Sequence, residues 1–115
     1  KSCSQFTAPS WRFGAHQAPL GIHFYKGTKF PALYKNGLFV AFHGSWNRNP
    51  PEGYLVRLMK VSATNVVSFG QDFITGWLTP AHKRLGRPVD IIELPDGSLL
   101  ISDDTAHLVY RVTYQ

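Results

Sequence analysis

Apolar residues fall in runs of five to eight, rich in β-branched and aromatic side chains and bounded by Gly, Pro, Asn and Asp. The 3.6-residue spacing of an amphipathic helix is nearly absent, so the pattern predicts an all-β chain. Strands are expected at 21–25, 38–42, 54–60, 66–69, 89–94, 99–102 and 108–114. Between them, Lys35-Asn36-Gly37, Pro50-Pro51-Glu52-Gly53 and Pro95-Asp96-Gly97 supply residues that accept positive φ or restrict φ to one well. Tight reversals need such residues, and each group marks a hairpin or a strand entry.

An internal echo follows. Gly37-Leu38-Phe39-Val40 with Tyr54-Leu55-Val56-Arg57-Leu58 resembles Gly97-Ser98-Leu99-Leu100-Ile101 with His107-Leu108-Val109-Tyr110-Arg111-Val112. Roughly 55 residues per unit, about four strands each and a turn signal before each strand make the pattern of a β-propeller blade. Residues 13–75 read as one blade, and 76–115 as a crossover followed by a partial last blade that lacks its closing strand. Two blades cannot close a ring. In propellers the missing strand is commonly lent by the other end of the chain, so these residues read as the end of a longer protein, and Lys1-Ser2-Cys3 as a mid-chain start. Within the crossover, Gly86 and Pro88 flank Arg87, and the proline pushes Arg87 toward extended backbone. That aims one guanidinium in a fixed direction.

Composition narrows the function classes. The 115 residues are 43% hydrophobic and 17% charged, which excludes a disordered tail. No stretch approaches the roughly 20 apolar residues of a membrane helix. Residues 1–15 carry no signal-peptide pattern, which leaves secretion open because a leader could already be gone. Cys3 is the single cysteine, so the chain alone can build neither a disulfide nor a Cys-based zinc site. The net charge of +5 is uneven, +7 over residues 1–60 and −2 over 61–115, so the first half could attract an anion. Its cations are interleaved singly with apolar residues and do not form a basic tract, which argues against nucleic acid as a partner. His23, His82 and His107 lack the close pairing of zinc motifs, and Asp103-Asp104 before Thr105 reads as a solvated turn that bonds its own backbone.

One longer set of motifs is distinctive. It comprises Ala15-His16-Gln17-Ala18-Pro19-Leu20-Gly21, Phe24-Tyr25-Lys26-Gly27 with Phe30-Pro31, His43-Gly44-Ser45-Trp46-Asn47-Arg48, Gly53-Tyr54, Gly86-Arg87-Pro88, and Asp96-Gly97-Ser98-Leu99-Leu100 with Ser102-Asp103-Asp104 and Tyr110-Arg111-Val112, within a span from Phe13 to Tyr114. Together they resemble the C-terminal part of the glucose/sorbosone dehydrogenase family, nearest its L-sorbosone dehydrogenase and fungal pyranose dehydrogenase branch. The resemblance implies a six-bladed β-propeller that holds pyrroloquinoline quinone over its axis with Ca²⁺ and oxidises sugars, in a periplasmic or secreted protein. It implies an external electron acceptor such as a cytochrome. The family's catalytic histidine and main calcium ligands lie in earlier blades, and no segment here matches them, so this chain is expected to hold no catalytic base and no metal ligand, and to be inactive alone.

Pyrroloquinoline quinone carries three carboxylates and two adjacent carbonyls, so its site needs converging cations and neutral donors, with arginine favoured for its planar fork. Arg87, in the Gly-Arg-Pro motif, and Arg48 are the expected anion ligands. His16 is expected to line the pocket as a neutral donor. His43 is expected to project at the mouth of its strand, beside a Gly44 that lets backbone approach a flat ligand. Trp46 is expected to stack on the tricycle or on sugar. The competing reading is a two-blade sugar-binding module that trimerises into a closed ring, as small lectins do.

Overall fold

The computed structural model describes residues 2–115. It is all-β, with two antiparallel sheets and two single-turn 3₁₀ segments. The first sheet contains β1 (Pro19–Phe24), β2 (Leu38–Phe42), β3 (Leu55–Val61) and β4 (Val67–Ile74), each beside its sequence neighbour. The second contains β5 (Pro88–Glu93), β6 (Leu99–Asp103) and β7 (Leu108–Val112) in the same meander. All seven strands stand where the apolar runs predict them, and the positive φ values of Asn36, Gly53 and Gly97 fall in the three expected turns.

β4 runs five residues beyond its expected end at Phe69. The polar Gly70-Gln71-Asp72 stretch hides this continuation in the sequence. In the ladder, β4 carries an extra residue at two places opposite β3, between Phe69 and Gln71 and between Asp72 and Ile74. Such bulges bend a strand and let it continue through residues that break alternation. Gly70 sits at the first of them, where a Cβ would press on the Leu58 carbonyl.

The echo between the two halves extends to the leading strands. β1 opens Pro19-Leu20-Gly21-Ile22 and β5 opens Pro88-Val89-Asp90-Ile91, and each inserts one extra residue between the proline and the isoleucine relative to its partner strand. The two bulged segments meet, because a Cβ on Gly21 would strike the Asp90 backbone and the Val89 carbonyl. β5 thus packs directly on β1 and β2.

The core lies between the sheets. Phe39, Ala41, Val56 and Leu58 meet Ile91, Leu99 and Ile101, and Tyr25, Phe30, Tyr54 and Trp77 close the margins. The opposite face of β2 and β3 buries Val40, Phe42 and Met59, with Phe13 set edge-on to Phe42 at 4.8 Å between ring centres. Burial on both faces is why β2 is an unbroken apolar run and does not alternate. By contrast β1 alternates and leaves Leu20, Ile22 and Phe24 exposed on its outer side. At one end of the sheets Tyr25 Oη donates to the Gly97 carbonyl at 2.8 Å, and Glu93 takes both His23 Nε2 at 3.1 Å and the Lys26 N–H at 2.9 Å. The other end is joined by the loops that carry most of the expected site residues.

Candidate functional site

At that second end, five loop segments meet. They leave or enter the strands at 15–18, 43–48, 52–54, 84–88 and 103–106. Their main chains are knitted together: the His43 N–H donates to the Ala18 carbonyl, the Gly44 N–H to Gln17 and the Ser45 N–H to Glu52, all at 2.8–3.0 Å. Gly44, at φ 88°, lies flat under Tyr54, and a Cβ there would sit about 2.5 Å from the ring carbons. Gly44 therefore serves a close approach, but the flat group it meets in this chain is the Tyr54 ring and not a ligand. Tyr54 is buried, takes φ 61° and donates its hydroxyl to the Ser45 carbonyl.

Arg87 is the most tightly built cation of the cluster. Its Nε donates to the His43 carbonyl at 2.8 Å, its Nη2 to the Gly44 carbonyl at 2.6 Å, and its guanidinium lies over the Tyr54 ring at 5.5 Å. Two of the five guanidinium N–H groups are thereby spent, and Nη1 keeps both of its own. Among the described residues Arg87 makes no ion pair. Its backbone N–H is held by Asp103 Oδ1 at 2.9 Å. Gly86 is required because a side chain there would collide with the Asp103 carboxylate and with Trp77. Arg84 adds a second guanidinium over Tyr54 at 5.7 Å.

Asp103 is the residue the sequence undervalues. The turn it begins does bond its own backbone, since Oδ1 accepts the Thr105 and Ala106 N–H groups at 3.0 and 2.8 Å. It is not solvated, however: Asp103 is 3% exposed, and Tyr110 Oη donates to its other oxygen at 3.2 Å. One carboxylate thus shapes the turn after β6 and anchors the backbone of Arg87. Its neighbour Asp104 faces outward and takes His43 Nε2 at 2.9 Å. The hydrogen bond from His43 holds the Asp104 carboxyl below its ordinary value of 3.8, against the opposing effect of partial burial.

The other expected residues take different places. Arg48 Nη1 donates to the Ala15 carbonyl at 2.6 Å and pairs with Glu52 at 2.6 Å, so its charge is already compensated within the cluster. His16 is exposed at φ 65°, between an Ala15 fixed by Arg48 and a Gln17 fixed by Gly44. Gln17 is buried, and its Oε1 has no hydrogen-bond partner among the described residues. Trp46 is 80% exposed on the loop after β2, and among the described residues no aromatic ring stacks on it. Of the five expected residues, Arg87 bonds the His43 carbonyl directly, Arg48 joins the cluster through Ala15 and Glu52, His16 is held only through its neighbours Ala15 and Gln17, and Trp46 stands apart in solvent.

The donor set suits a carboxylate-rich planar ligand at Arg87, where a guanidinium fixed on the His43 and Gly44 carbonyls leaves Nη1 unspent. It suits one less at Arg48, which Glu52 neutralises. Among the described residues no three His, Cys, Asp or Glu side chains cluster as metal ligands would, and no helix is long and apolar enough to cross a membrane.

The TrAA12-like family model matches residues 1–114. An uncharacterised protein of Borreliella burgdorferi is 44% identical over 113 residues, covering 97% of this chain and 30% of that protein. The pyrroloquinoline quinone-dependent pyranose dehydrogenase of Coprinopsis cinerea is 44% identical over 122 residues, covering 90% of this chain and 16% of the enzyme. The chain therefore spans under a third of the length of these relatives. Among solved structures, the holo form of the Coprinopsis cinerea pyranose dehydrogenase PQQ domain superposes with a TM-score of 0.64 at 30% identity, over 86% of this chain and 27% of that one. A Trichoderma reesei family AA12 enzyme shares the fold, with a TM-score of 0.61 at 22% identity over 88% of this chain and 25% of that one.

Proposed function

Since the chain belongs to the TrAA12-like family, we propose that it is the C-terminal part of a pyrroloquinoline quinone-dependent sugar dehydrogenase and forms part of the cofactor wall. The observation that carries the reading is Arg87. It is an unpaired, partly buried guanidinium, immobilised by the His43 and Gly44 carbonyls and by Asp103, in a chain similar to a protein named for its quinone dependence. Arg87 would bind a quinone carboxylate through Nη1, with His43 beside it and His16 at the rim. Arg48 would order the Ala15-His16 segment and not bind the anion directly, and Trp46 would face substrate. When bound, the quinone accepts the hydride that oxidation of a sugar releases. The proton-accepting base and the Ca²⁺ ligands belong to other parts of the protein. An external electron acceptor and a periplasmic or secreted location complete this reading.

The same reading makes the two sheets neighbouring blades of a six-bladed propeller, 13–75 and 76–115, with the second awaiting its fourth strand on the open edge of β7. The exposed Leu20, Ile22 and Phe24 of β1, and Ile92 and Val109 in the second sheet, support it, since blades are apolar on both faces.

The test is a titration of the full-length protein with pyrroloquinoline quinone and Ca²⁺, followed by absorbance. Arg87→Ala should weaken binding by about 10- to 100-fold, as loss of a charge-assisted pair worth about 1.5–3 kcal/mol requires. Arg87→Lys should recover only part, because an ammonium cannot hold two carbonyls and a carboxylate in one plane. Wild-type affinity in Arg87→Ala would remove this residue from the cofactor wall. A trimer of this chain alone that binds sugar and no quinone would instead establish the lectin-like module.

A further inference from the structure

Around Arg87 the site is furnished with donors, and a ligand that bears a hydroxyl or a ring N–H also needs an acceptor. His43 is held from three sides. Its N–H donates to the Ala18 carbonyl at 2.9 Å, its own carbonyl receives Arg87 Nε at 2.8 Å, and its Nε2 lies 2.9 Å from Asp104 Oδ1. The ring is mostly covered, with the His43 side chain 19% exposed and that of Asp104 60%. Asp104 is aimed by its neighbour: the Asp103 carboxylate clamps the N–H groups of Thr105 and Ala106, which sets the turn, and Thr105 Oγ1 adds a contact to Asp104 at 3.3 Å.

A carboxylate has no proton to give, so the nitrogen facing it must carry the hydrogen. We propose that Asp104 is a positioning residue that keeps the His43 proton on Nε2, so that the neutral ring offers its Nδ1 lone pair as an acceptor for a hydroxyl or ring N–H of the bound ligand. Among the described residues Nδ1 has no partner, and it is not among the buried unsatisfied atoms, so it is reachable from outside. His43 then complements Arg87: the guanidinium binds an oxygen that carries charge, and the imidazole binds a group that carries hydrogen. This extends the cofactor-wall reading above from affinity to orientation, because a planar ligand offered donors on one side and an acceptor on the other has one preferred way to lie.

The measurement is ¹⁵N NMR of the full-length protein with histidine rings labelled, at about pH 8.5, above the ordinary histidine range. In the ligand-free protein His43 should show Nε2 as the protonated nitrogen, with its hydrogen protected from exchange, and Nδ1 as the bare one. Asp104→Ala should abolish that protection, and Asp104→Glu should restore part of it. Added pyrroloquinoline quinone, or D-glucose after it, should shift Nδ1 in the direction of hydrogen-bond acceptance, and which addition does so tells whether the donor is the quinone N–H or a sugar hydroxyl. The shift should be lost in Asp104→Ala. A proton on Nδ1 in the ligand-free protein, protection that survives Asp104→Ala, or quinone binding and glucose addition that both leave Nδ1 unmoved would each overturn the proposal. Failure of the quinone to bind the wild-type protein would instead overturn the function proposed above, and the ligand-free tautomer would still decide this one.

Discussion

Replacing Asp103 separates what its charge does from what its oxygen atoms do. Three backbone N–H groups, those of Arg87, Thr105 and Ala106, converge on the single atom Oδ1 at 2.8–3.0 Å. Asp103→Ala leaves all three without an acceptor in a part-buried setting. Each stranded donor costs about 1–3 kcal/mol, and since one acceptor serves all three and the losses are not additive, the sum should be about 2–4 kcal/mol. Asp103→Asn keeps an oxygen in the same place and can turn its amide nitrogen toward Tyr110 Oη, so it loses only the charge assistance, about 1 kcal/mol. Urea unfolding of the full-length protein, followed by tryptophan fluorescence, should rank Asn near wild type and Ala well below it. Quinone affinity should follow the same order, because the backbone of Arg87 hangs on this atom. Equal losses for the two variants would refute the reasoning, since the negative charge and not the N–H acceptance would then dominate. A loss under about 1 kcal/mol for Ala would show that the turn and Arg87 hold without it.

Two further changes test other parts of the same end and the opposite turn. Gly44→Ala drives a Cβ into the Tyr54 ring at a φ of 88°, so it should cost about 2–4 kcal/mol and weaken quinone binding by displacing the carbonyls that hold Arg87, read by thermal unfolding and by titration. Asp96 is lowered from 3.8 to about 2, first by the Ser98 hydroxyl, then by the Ser98 N–H and by Arg111. A lowered carboxyl contributes stability that is present above its unfolded value and lost as the pH falls from about 4 toward 2, so Ser98→Ala should move the Asp96 carboxyl ¹³C titration upward and shift the onset of acid unfolding to higher pH.

Much of the architecture was legible locally. Strand periodicity depends on which faces of a short segment are apolar, and turn chemistry on which residues accept positive φ, so seven strands and the turns at Asn36, Gly53 and Gly97 follow from neighbours in sequence. The repeat was legible in part: the β2/β3 and β6/β7 correspondence stands out, whereas the shared bulge of Pro19–Ile22 and Pro88–Ile91 shows only as a spacing between two unlike strings. β4 beyond Phe69 was not legible, because its continuation relies on pairing with β3 and not on its own composition.

For the site, the Gly-Arg-Pro motif marked Arg87 and the strand end before Gly44 marked His43, beside Arg48, His16 and Trp46. What those side chains hold was decided in three dimensions. Gly44 lies against Tyr54, Arg48 is neutralised by Glu52, and Asp103 turned from a surface acid into the buried anchor of Arg87, through contacts between residues 4 to 16 positions apart. What Arg87 and Asp104 reach on the His43-Gly44 segment is specified by how the two sheets stack, because these residues come from different sheets and no single stretch of the chain brings them together.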